Sequence, residues 1–119
     1  MKPRHYLILF LGWMSLIWVL SSLPSEDLPS IQVIGVDKVA HILVYLIWGI
    51  FGAIYLKQIQ AKCGLSSLIF ALMFLLAALD EYHQEFIPGR QVSIYDLLAN
   101  WLGLLLAYGA FHLIIRKRR

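Results

Sequence analysis

The chain has 119 residues, 61% of them hydrophobic and only 14% charged, with a mean hydropathy of +0.75. A soluble domain carries about a quarter of its residues as charges, so this composition excludes an ordinary soluble fold and indicates an integral membrane protein. The net charge of +3 is no sign of a nucleic-acid partner, because topology and anionic inner-leaflet lipid account better for the basic C-terminal cluster.

Crossing a hydrocarbon core of roughly 30 Å takes about 20 apolar residues in a helix, and four runs meet that need. The first spans about Tyr6 to Leu23, after Met1-Lys2-Pro3-Arg4. Such an opening resembles a secretory signal, but the run exceeds a usual signal core and Ser21-Ser22-Leu23-Pro24 is a poor small-x-small cleavage site. It is read as the first transmembrane helix, stopped by Pro24 and Pro29. The second runs from about Val39 to Leu56, and Lys57 through Gly64 form a polar turn. The third and shortest covers Leu65 to Leu79, with room to extend through Asp80 to Gln84. Pro88-Gly89 breaks the next connection, and the fourth run spans Ser93 to Ile115. The expected fold is all-α: residues 1–119 as one domain of four transmembrane helices in a compact bundle.

Basic residues in short flanks stay cytoplasmic. With both termini cytoplasmic, Lys2, Arg4, Lys57, Lys62, Arg116, Lys117, Arg118 and Arg119 lie inside and only Lys38 and Arg90 outside. All seven acids, Glu26, Asp27, Asp37, Asp80, Glu81, Glu85 and Asp96, then fall outside or near the outer boundary. Cys63, the single cysteine, lies in the inner turn and allows neither an internal disulfide nor a paired-thiol metal site.

The chemistry gathers at the outer ends. Asp37, His41 and Tyr45 share one helical face. Asp37 suits a helix cap and the positive dipole end, but His41, a turn further in, is costly without a partner or a watery cavity. Asp80 with Gln84, and Glu81 with Glu85, crowd a helix C-terminus where negative charge opposes the dipole. A cation should compensate them: Arg90, turned back by Pro88-Gly89, or Lys38, or a bound metal. Ser93 suits an N-cap with Asp96 three residues on. Asp96, Asn100, Gly103 and Ala107 form a polar-to-small stripe that faces the bundle, where Gly49 and Gly52 offer matching close packing. Trp13, Trp18, Trp48 and Trp101 serve as packing or interface anchors, or, where they form an exposed cluster, as a grip for a lipid tail.

Three motifs, in this order and spacing, resemble the VanZ-like family, associated with teicoplanin resistance. They are Ser21-Ser22-x-Pro24, then Asp37-Lys38-x-x-His41-x-x-x-Tyr45, then Asp80-Glu81-x-x-Gln84-x-Phe86-x-Pro88-Gly89-Arg90 with Asp96-x-x-x-Asn100-x-x-Gly103. The match covers most of the chain; Leu23, where a polar residue is expected, is a minor departure. The resemblance implies a small bacterial multi-pass membrane protein, in some cases linked to lowered glycopeptide susceptibility, whose biochemical activity is unsettled.

The leading expectation is an outward-facing polar pocket made by Asp37, Lys38, His41, Asp80, Glu81, Gln84, Arg90, Asp96 and Asn100. Its partner would be a membrane lipid or lipid-linked envelope precursor, with Arg90 and Lys38 on phosphate or carboxylate. A second reading is an envelope hydrolase or transferase with His41, Asp80 and Glu81 as catalytic candidates, His41 being a base oriented by Asp37 or Asp80. No nucleophile elbow supports it, and Ser93 and Tyr45 are the available hydroxyls. A metal-assisted variant would recruit His41, His83, Asp80 and Glu81; with no His-Glu-x-x-His motif, neither metal nor cofactor is expected. A third reading is an ion or proton-coupled transporter formed as a homo-oligomer. Ser15 and Ser66 offer little polar continuation for one.

Overall fold

The computed structural model describes residues 1–24, 26 and 35–116, with the backbone alone at 115 and 116. Four long helices, with no strand among the described residues, make up the fold: α1 Pro3–Ser21, α2 Val36–Gln58, α3 Cys63–His83 and α4 Ile94–Arg116. A short 3-10 turn, Gln84–Phe86, extends α3. At 1.5 Å per residue the four measure about 29 to 35 Å, long enough to cross a bilayer. Only 11 to 33% of the residues in each span are buried inside the bundle. The faces left bare are apolar, as Ile8, Val19, Leu43, Leu68, Leu75 and Leu105 illustrate, which suits hydrocarbon and not water.

The spans lie where hydropathy puts them, and their ends are shifted by backbone chemistry. α1 starts three residues early because Pro3 sits in the first turn, where its missing N–H costs nothing. It stops at Ser21, with the Ser22 hydroxyl donating to the Trp18 carbonyl at 2.8 Å. α2 starts at Val36 behind Gly35, so Asp37 lies inside the first turn and is not the expected cap; its charge still meets the positive end of the helix. The polar turn after the second span shrinks to residues 59–62, because α2 continues through Gln58 and α3 begins at Cys63. The longer reading of the third span holds, and Asp80 and Glu81 belong to the helix. Ser93 caps α4, its Oγ accepting the Asp96 N–H at 3.4 Å. Asp27, Pro29 and Lys117 to Arg119 lie outside the described residues.

The most extensive contact is between α2 and α4, which run parallel. Gly103 makes it possible: a Cβ there would run into the Ile42 carbonyl oxygen and lie 2.8 Å from the Leu46 nitrogen, so only glycine lets the two backbones approach. One turn and more further along, Gly49 meets Ala107, which bears out the small-residue stripe. Gly52 instead receives the Phe10 ring of α1, correcting its assignment to the α4 face. α1 lies antiparallel on α2 through the Trp13 indole N–H, which donates to the Val44 carbonyl at 2.9 Å, and through Phe10 stacked on Trp48. α3 lies antiparallel on α4, with the Trp101 N–H donating to the Phe74 carbonyl at 3.0 Å and Phe70 packed on Tyr108 and Phe111. α1 touches α3 sparingly, Trp18 stacking on His83 near the end of the pair. Clefts remain between them.

Candidate functional site

The helix directions bring the C-terminal ends of α1 and α3 and the N-terminal ends of α2 and α4 together, and with them the polar residues of three separate segments. On the α2–α4 seam Lys38 Nζ binds Asp37 Oδ2 at 2.8 Å and also pairs with Asp96 Oδ1. His41 Nδ1 lies 2.8 Å from Asn100 Oδ1. An amide oxygen can only accept, so Nδ1 donates. Nε2 then faces Asp96 Oδ2 at 3.8 Å. The imidazole is thus oriented by Asn100, not by Asp37 or Asp80. The reason is register: Gly103 sets α4 against α2 so closely that Asn100 is fully buried beside the ring.

A second cluster lies between α2 and α3. The Tyr45 hydroxyl donates to Asp80 Oδ2 at 2.6 Å, with both residues buried. Asp80 Oδ1 is buried with no hydrogen-bond partner among the described residues. Two cavities share Ile17, Tyr45 and Asp80 in their walls. One, of about 360 Å³, is completed by Leu20, Ser21, Ala40, His41, Val44, Gln84 and Arg90. The other, of about 430 Å³, runs along the α1–α3 cleft against Met14, Ser15, Trp18, Val19, Trp48 and Leu76.

Arg90 reaches the first cavity through a tight turn. Pro88 presets φ at the second position, Gly89 takes φ +74 at the third, and the Arg90 N–H closes on the Ile87 carbonyl at 3.1 Å, a type II turn. Its guanidinium donates to the Leu23 carbonyl at 3.4 Å and makes no ion pair among the described residues. The expected pairing of Arg90 with the α3 carboxylates is therefore absent among the described residues: Asp80 and Glu81 each give one oxygen to another donor, and Glu85 is exposed. Glu81, 2% exposed, accepts the Ser93 N–H through Oε1 at 3.0 Å, placing a carboxylate at the amino end of α4 where the dipole favours it. Lys38 compensates Asp37 and Asp96 instead. Glu85 is exposed and lines a surface pocket with Tyr82, Arg90, Gln91 and Val92.

The nine expected pocket residues thus separate into groups. His41, Asp80, Gln84 and Arg90 line the smaller cavity, Asp37, Lys38 and Asp96 form an ion-paired group on the seam, and Glu81 and Asn100 hold neighbouring elements in place. His83 stacks on Trp18, apart from His41, and no three His, Cys, Asp or Glu side chains among the described residues converge as a metal site. Sequence reasoning missed Ile17 as a cavity wall and read Trp18 and Trp48 as anchors or a grip for a lipid tail without placing them in a cleft, because apolar residues inside a membrane helix carry no signal of which face they occupy.

A family model for VanZ/LLP1 matches residues 5–115. The chain belongs to the VanZ/LLP1 family. Four membrane-length helices and this membership fit a multi-pass membrane protein. No curated protein and no solved structure matches the chain. In this VanZ/LLP1 chain the motif residues have distinct structural duties: Ser21 and Gln84 wall the smaller cavity, Gly103 sets the helix seam, and Pro88-Gly89 aims Arg90.

Proposed function

We propose that this chain binds the headgroup of an envelope lipid or lipid-linked precursor in the bacterial cell membrane, with both termini cytoplasmic and the polar cavity facing outward. The carrying observation is the 360 Å³ cavity, which has His41, Asp80, Gln84 and Arg90 on its polar side and Ile17, Leu20 and Val44 on its apolar side. A membrane-embedded pocket with a cation, a carboxylate and an amide suits an anionic or zwitterionic headgroup whose chain remains in the bilayer. The excess of Lys and Arg at the opposite end supports the orientation. Sequestering or displaying such headgroups would alter the surface that a glycopeptide meets, and lowered teicoplanin susceptibility would follow.

Native mass spectrometry of the protein released in mild detergent tests this. A specific lipid or lipid-linked species is expected with the wild type and lost in folded Arg90→Ala and Asp80→Asn variants. Wild-type retention in both variants would remove the proposal.

The His41–Asn100 contact favours one second reading, a hydrolase or transferase acting on the same headgroup. A ring held through Nδ1 presents Nε2 in a fixed direction, as a general acid or base requires. Headgroup release that is lost in His41→Gln with binding retained would support it; binding without release in the wild type would exclude it.

A further inference from the structure

We infer that the ligand is a lipid with a primary-amine, phosphate-bearing zwitterionic headgroup, one of whose hydrocarbon chains enters sideways from the bilayer between α1 and α3. This rests on the headgroup proposal and deepens it.

The cleft carries the first half of the argument. Its walls include Trp18 and Val19 of α1 and Leu76 of α3, which are 44, 57 and 38% exposed on the bilayer-facing surface, so the opening is lateral. Its 430 Å³ falls at the small end of the range of ligand sites, about 300 to 1,000 Å³, and suits one chain but not two. Helix contacts allow the entry, since α1 is fastened to α2 by Trp13 and Phe10 and touches α3 sparingly. The cleft ends at Tyr45 and Asp80, which also wall the polar cavity. A chain in the cleft therefore delivers its headgroup among His41, Gln84 and Arg90.

Charge complementarity carries the second half. The polar cavity presents a guanidinium and a carboxylate, one unit of each sign. Arg90 has donors to spare, having one described hydrogen bond, to the Leu23 carbonyl, and a guanidinium suits phosphate. Asp80 uses Oδ2 for Tyr45 while Oδ1 lacks a partner; a buried acceptor left this way is costly, and an ammonium donor satisfies it. A purely anionic headgroup would leave Asp80 Oδ1 without a donor, and a quaternary amine has no hydrogen to donate.

The test uses the intact chain in nanodiscs of phosphatidylglycerol doped with a lysolipid bearing a brominated chain, read by tryptophan fluorescence. Bromine quenches nearby indoles, and Trp48 lines the cleft while only 1% exposed, out of reach of bulk chains. At equal mole fraction, brominated lysophosphatidylethanolamine is expected to quench more than lysophosphatidylglycerol with the same chain. The excess should vanish in Ser15→Phe, which fills the cleft from an exposed position, and shrink in Trp48→Phe, where Trp18 is the cleft indole that is left. Arg90→Gln should move its midpoint about tenfold, the worth of one charge-assisted hydrogen bond. Equal quenching by the two lysolipids overturns the zwitterion assignment. An excess that survives in Ser15→Phe overturns the chain seat. Soluble glycerophosphoethanolamine separates the two proposals: if it binds while no chain-dependent excess exists, headgroup binding stands and this inference falls. If neither it nor any lysolipid binds, both fall.

Discussion

Tyr45 donates its hydroxyl hydrogen to Asp80 Oδ2 across 2.6 Å, tying α2 to α3 at the wall shared by two cavities. Tyr45→Phe leaves both Asp80 oxygens without a protein partner, a desolvated-acceptor cost of about 1–3 kcal/mol. Thermal unfolding in detergent should show that loss, and adding Asp80→Leu should recover part of it, since removing both polar partners is nearly neutral. No recovery in the double variant would mean that the pair is not a closed unit.

Lys38 joins two carboxylates contributed by α2 and α4, one of them Asp96 at 14% side-chain exposure. Because Lys38 itself is 37% exposed, solvent weakens the pair, and a double-mutant cycle of Lys38→Met with Asp96→Asn should give a coupling of about 1 kcal/mol. The coupling should shrink as salt rises. A value indistinguishable from zero at low salt would show that the seam is held by packing alone.

Glu81 acts as a tether in this arrangement, its Oε1 accepting from the Ser93 N–H. Glu81→Gln keeps an acceptor and should cost under about 1 kcal/mol, while Glu81→Leu strands a backbone donor at about 1–3 kcal/mol. Hydrogen exchange at the first turn of α4 should accelerate in the leucine variant only. Loss of function in the glutamine variant, with α4 protection intact, would point to a chemical role.

Gly103 and Gly109 lie on the same helix and should answer differently to alanine. At Gly103 the new methyl meets α2 backbone, while at Gly109 it meets open space. Gly103→Ala should destabilise by about 1–3 kcal/mol through overpacking, and Gly109→Ala should stabilise slightly, by up to about 1 kcal/mol, from helix propensity. Equal responses in thermal unfolding would contradict the close α2–α4 seam.

Hydropathy alone located the four spans and, through Pro24 and Pro88-Gly89, the breaks between them, because crossing a bilayer depends on local sums of apolar length and on where the backbone can continue. Spacing likewise marked the Asp96 to Ala107 stripe as inward-facing, and the segment after Leu79 as polar beyond what a helix end needs. Partner choice was not legible there. Arg90 looked suited to the α3 carboxylates, yet Tyr45 and the Ser93 N–H take those places, and His41 answers to Asn100 rather than to the aspartate one turn before it. Those pairings join residues as far as 59 positions apart and follow from the rotation and register of whole helices, set by Gly103 against Ile42 and by Trp13 against Val44. The α1–α3 cleft has the same origin: along the cleft both helices are mostly apolar, and only the docking of α1 on α2 decided which of its faces would be left apart from α3.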